Sequence, residues 1–73
     1  MFKIPERIKS LRKEKEVTQR ELAEAIGVQV VSVQRFEYGS VRPSLDTLVA
    51  IADYFGCSVD YLLGRTNKKE INK

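Results

Sequence analysis

The stretch TQRELAEAIGVQVVSVQRFEY, from Thr18 to Tyr38, reads as two short amphipathic helices joined by a tight turn at Gly27. At about 100° per residue, Leu22 and Ile26 share one helical face and Val33 and Phe36 another. A helix that ends at Ile26 and turns sharply needs a left-handed residue just beyond its end, a conformation glycine takes without steric penalty. Ala23 fits the same geometry. Helices that cross at roughly 90–120° through a short turn bring their backbones close and leave room for only a small side chain.

Working outward, Thr18 can cap the second helix of the chain while Glu21 reaches back across its first turn, the arrangement of a capping box. The free N–H groups and positive dipole end there suit a phosphate oxygen, and Gln19 and Arg20 add a donor and a charge. In the third helix, from about Val30 to Tyr38, a core direction between Val33 and Phe36 turns Val31, Gln34, Arg35 and Tyr38 outward. Arginine can donate twice to guanine, glutamine can pair with adenine, and an aliphatic group can cover a thymine methyl.

Upstream, Pro5 suits the first turn of a helix whose apolar face is Ile4, Ile8 and Leu11, running to about Lys15 with Glu16 and Val17 as the link. Arg12, four residues after Ile8, sits at the edge of that stripe, either reaching inward or simply exposed. Downstream, Pro43 disfavours helix at Arg42, and Ser44 can cap a fourth helix whose core face is Leu45, Leu48, Ile51, Ala52 and Phe55. Gly56 ends it. Ser58 caps a short fifth helix, Val59 to Leu63, closed by Gly64. Tyr61, Leu62 and Leu63 either fill the core or leave part of the fifth helix for a dimer interface. The remaining RTNKKEINK, residues 65–73, is polar and basic and is expected to be a disordered tail that attracts DNA nonspecifically or aids solubility.

Seventy-three residues suffice for one small helical core. The net charge of +3 is misleading: from Met1 to Gly64 nine Lys or Arg stand against nine Asp or Glu, so the tail carries the excess. An asymmetry remains, with Lys9, Arg12, Lys13, Lys15, Arg20, Arg35 and Arg42 in the first part of the chain, which allows a basic face. The one cysteine, Cys57, and the lack of histidine leave no set for a disulfide, a metal or nucleophilic catalysis, so neither cofactor nor enzymatic activity is expected. No apolar run is long enough for a membrane span and the N-terminus lacks a signal-peptide core, so a cytoplasmic protein without membrane contact is expected.

Gln19, Ala23, Gly27, Val33 and Phe36, with Thr18 and Glu37 beside them, make a pattern that resembles the helix-turn-helix of the phage repressor and Cro family, also called Xre-like. The resemblance runs from about Ile4 to Arg65 and includes RPSLDTLVAIADYFGCSVDYLLGR. It implies an all-α fold of five helices over residues 1–64, duplex DNA as partner, and a transcriptional regulator, first of all a repressor, with the third helix in the major groove. Repressors of this kind dock as symmetric dimers on half-sites roughly 34–36 Å apart, which implies a homodimer and a palindromic operator. By the same resemblance Gln29, Val30, Val31, Gln34 and Arg35 read bases; Thr18, Gln19, Arg20 and Arg42 hold phosphate; and Arg12 pairs with Glu37.

Two departures from the family pattern stand out. A serine or threonine is usual where Gln29 stands, so either the third helix starts at another residue or Gln29 is released to contact DNA. Polar residues are usual where Val30 and Val31 stand, so these valines either read thymine methyls or, with Tyr38, form a protein-contact surface. The latter would make the chain an adaptor or antitoxin on the same fold. No small-molecule ligand is expected, since no ligand domain accompanies the motif.

Overall fold

The capping signals and apolar spacings produce the helices they imply. The computed structural model describes residues 2–70 and contains α1 (Ile4–Glu14), α2 (Gln19–Ile26), α3 (Val30–Tyr38), α4 (Leu45–Phe55) and α5 (Val59–Leu63). Ser44 and Ser58 accept hydrogen bonds from the backbone N–H groups of Thr47 and Tyr61, at 3.2 and 2.9 Å, and so start α4 and α5. Pro5 lies in the first turn of α1.

The stripes meet in one core. α1 packs on α3 and α5, α2 on α3 and α4, and α4 on α5. Ile8, Leu11, Leu22, Val33, Ile51 and Leu62 are fully enclosed where these helices converge. Each such side chain contributes roughly 1.5–3 kcal/mol by leaving water. Cys57 is buried at the α4–α5 turn, and that burial raises its thiol pKa, so it stays a protonated, unreactive part of the core.

One expectation holds, one open alternative is resolved and two readings need correction. First, α1 stops at Glu14 with Lys15 as its C-terminal cap, as its spacing implies, and the turn is closed by Glu16 in a left-handed conformation, with φ of 56°. This lets the N–H of Val17 donate to the Arg12 carbonyl at 2.9 Å, so the short link sends the chain back toward α2. A non-glycine residue there is strained by about 1–2 kcal/mol. Glu16→Gly should raise stability by about 0.5–1 kcal/mol, after allowance for the freer unfolded glycine chain. Urea unfolding followed by circular dichroism measures this, and a destabilised variant would refute it.

Second, Leu45 is not a core residue. It is 71% exposed, because it occupies the first turn of α4 at the rim of the domain, where no other helix covers it. Third, of the two readings of α5 the core-filling one describes it: Tyr61 and Leu62 are buried and Leu63 is half-buried.

Fourth, residues 65–70 are held against the domain. The N–H of Ser58 donates to the Lys69 carbonyl at 2.9 Å, Arg7 donates to the Asn67 side chain at 2.9 Å, and Lys69 pairs with Glu14. The Arg7 guanidinium also sits 4.1 Å from the centre of the Tyr61 ring. These contacts reach across to α1, so this segment straps the two ends of the chain together. The end of the expected tail, residues 71–73, lies outside the described residues. Ending the chain at Gly64 should therefore lower the melting temperature by several degrees, about 4–8 °C for each 1 kcal/mol lost in a domain of this size. An unchanged melting curve would show the strap to be without consequence.

Candidate nucleic-acid interface

The α2–α3 pair is fixed at both of its ends and left open along one face. At the start of α2 the Thr18 hydroxyl accepts from the N–H of Glu21 at 3.0 Å, and the Thr18 N–H donates to the Glu21 carboxylate at 2.9 Å. The Thr18 backbone N–H, and after it the Thr18 side chain, hold the Glu21 carboxyl below its ordinary pKa. At the end of α2, Gly27 has φ of 74°, and the N–H of Val28 returns to the Ala23 carbonyl at 3.0 Å. A Cβ at Gly27 would meet nothing within 4 Å, so glycine is required there by backbone angle and not by crowding. Ala23 is buried.

α3 is anchored through its last turn. Glu37 is the one buried charged residue among those described, and its carboxylate is fully engaged. Arg12 Nε donates to Glu37 Oε2 at 2.6 Å and Arg12 Nη2 to Glu37 Oε1 at 3.0 Å, a two-pronged pairing. Arg12 Nη1 donates to the Val17 carbonyl at 3.1 Å, and Gln19 Nε2 to Glu37 Oε1 at 3.2 Å. One carboxylate on α3 thus ties α1 to the first residue of α2, and Arg12 in turn holds the α1–α2 link. The Glu37 hydrogen bond raises the Arg12 pKa further, so the guanidinium keeps its charge at any relevant pH.

With Val33, Phe36 and Glu37 turned inward, Val31, Gln34, Arg35 and Tyr38 face outward. Val31 is 41% exposed and Tyr38 88%. Gln29 is the N-terminal cap of α3 by backbone angle, and its exposed side chain makes no capping bond, so of the two readings the helix start is unshifted and the amide is unengaged. Val30 differs from the other residues expected to read bases, because it is half-buried and packs against the core. Thr18, Arg20 and Arg42 are exposed. Arg42, on the loop after α3, lies 5.4 Å from the centre of the Phe2 ring. Arg12 no longer belongs to any basic face, since Glu37 neutralises it.

Two exposed aromatic side chains thus border this surface, Tyr38 as its outward position implies and Phe2 without having been assigned to it. Tyr38 carried a signal, its outward position at i+7 from Val31, whereas nothing local connects Phe2 with Arg42.

A helix-turn-helix family model (HTH_3) matches residues 8–62, a span that contains α2, α3 and the Arg12–Glu37 pair. The chain belongs to this helix-turn-helix family, that of the phage repressors. This helix-turn-helix chain is 42% identical over 62 residues to the uncharacterized HTH-type transcriptional regulator YobD of Bacillus subtilis, covering 85% of the chain and 55% of YobD. It is 40% identical over 64 residues to the cryptic phage CTXphi transcriptional repressor RstR of Vibrio cholerae, covering 88% of the chain and 57% of RstR. The chain therefore spans just over half the length of these curated relatives. Among solved structures, the P22 c2 repressor in complex with a synthetic operator superposes with a TM-score of 0.79 at 33% identity, covering 82% of this helix-turn-helix chain and 91% of the repressor chain. Among the described residues no helix is long and apolar enough to cross a membrane.

Proposed function

We propose that this helix-turn-helix domain binds duplex DNA by sequence and serves as the operator-reading part of a transcriptional repressor in the cytoplasm. The observation that carries this reading is the buried Glu37 carboxylate gripped by Arg12 and Gln19. That grip fixes the angle of α3 against α2 and leaves Val31, Gln34 and Arg35 projecting from a rigid support. The repressor role of RstR and the operator complex of P22 c2 support it.

In this reading α3 enters the major groove. Gln29, Val31, Gln34 and Arg35 meet base edges, and Val30 contributes only its uncovered side. Thr18, Gln19 and Arg20 meet phosphate on one side of the groove and Arg42 on the other. Two copies bind a palindromic operator. α5 offers their contact little, since Tyr61 and Leu62 are buried and only Val59 and Leu63 keep part of their apolar surface.

Selection of bound sequences from random duplexes at a stated salt concentration tests the proposal. An enriched site with inverted symmetry is expected. Two phosphate-neutralising arginines per copy, Arg20 and Arg42, give a dimer a log–log salt slope of about −3.6. A selection without enrichment, together with salt-insensitive capture of a protein partner, would instead favour the adaptor reading for Val31 and Tyr38.

A further inference from the structure

We infer that Phe2 is a positioning residue for DNA binding: its ring holds the Arg42 guanidinium at the edge of the interface, ready to take a backbone phosphate. This rests on the DNA-binding reading above and adds to it a residue from the start of the chain.

Three observations carry it. The Arg42 guanidinium lies 5.4 Å from the Phe2 ring centroid, within the range of a cation–π contact. Among the described residues no hydrogen bond or ion pair occupies that guanidinium, unlike Arg12 with Glu37 or Arg7 with Asn67. The two residues also line one groove, with Pro5, Tyr38 and Val41, where the first turn of α1 meets the end of α3. The two elements approach closely there: a Cβ at Gly39 would sit at ordinary contact distance, 3.5 Å, from Pro5 Cγ.

The chemistry suits phosphate. A guanidinium that rests against an aromatic ring uses its face for that contact and keeps its N–H groups on the rim free to donate. The ring removes water from one side of the charge, which strengthens its attraction to an anion. It also restricts a long side chain on a loop before binding, so less rotamer freedom is lost when phosphate arrives. Phe2 is half exposed and precedes α1, so its replacement leaves the core intact.

The test is a double-mutant cycle on the full chain, read by fluorescence anisotropy with the duplex obtained by selection and with an unrelated duplex of equal length. Phe2→Ala should weaken both duplexes about two- to fivefold, the size of an exposed cation–π contact. In an Arg42→Ala background the same change should have no further effect. Phe2→Trp should restore or tighten binding, and the melting temperature of each variant shows that folding is not the cause. Equal losses from Phe2→Ala with and without Arg42 would overturn the inference, as would wild-type binding by Phe2→Ala. If the unmodified chain bound neither duplex, the DNA-binding reading itself would fall. A chain that binds well but shows additive losses sinks only the role of Phe2.

Discussion

Arg12→Ala is expected to remove a large part of the stability of this domain. The substitution deletes two hydrogen bonds to Glu37, at 2.6 and 3.0 Å, and one to the Val17 carbonyl at 3.1 Å. It leaves a carboxylate that is only 6% exposed with a single neutral donor, Gln19. Breaking a buried pair on one side costs roughly 3–5 kcal/mol, because the remaining charge is out of water and uncompensated. A domain of this length has a total stability of only about 4–11 kcal/mol. Urea unfolding monitored by circular dichroism should show a midpoint far below that of the unmodified chain. Arg12→Lys should fall between, since an ammonium keeps the charge but not the planar fork. Replacing both partners, Arg12→Met with Glu37→Leu, should recover much of the loss, because no charge is then stranded. A single Arg12→Ala variant within about 1 kcal/mol of the original would mean that the pair does not lock α3 in place.

The second large effect concerns specificity. Arg35→Ala is expected to erase preference at one base-pair position of each half-site while leaving the other positions intact. A bidentate arginine–guanine contact is worth about 1–3 kcal/mol, so discrimination there should fall by about 5- to 150-fold. Arg35 is exposed on the same face as Val31 and Gln34, and its removal disturbs no core contact. Arg42→Ala provides the contrast: it should weaken every duplex about equally and reduce the salt slope by about one per copy. Repeating the selection with each variant separates the two. An unchanged profile for Arg35→Ala, or uniform weakening, would remove Arg35 from the base-reading set.

Much of the helix-turn-helix was legible because its determinants are local. The Thr18 and Glu21 pair are three residues apart, Gly27 sits one residue beyond the helix it ends, and Val33 and Phe36 share a face by spacing alone. Periodicity failed at Leu45. It falls in register with Leu48 and Ala52, but register states only which way a side chain points, and at the first turn of α4 there is no neighbour on that side. The fifth helix shows the converse. Spacing left Tyr61 and Leu62 open between the core and a dimer interface, and it is α1 and α4 closing over them that decides. At the interface, Val30 was grouped with the base readers by its place in the family pattern, but one side of it is taken up by the core.

The amino-acid sequence alone determined, to within about a residue, where each helix of this protein begins and ends and which residues form the turn between α2 and α3. Caps, glycines and apolar spacing act over a few residues and need no tertiary partner to be effective. The tertiary structure decided which charges are buried and what holds α3. Glu37 meets Arg12 across 25 positions of chain, Lys69 meets Glu14 across 55, and Arg42 meets Phe2 across 40. Those encounters depend on how whole helices stack, and the energy of a charge depends on the water that stacking excludes, which no local pattern of residues specifies.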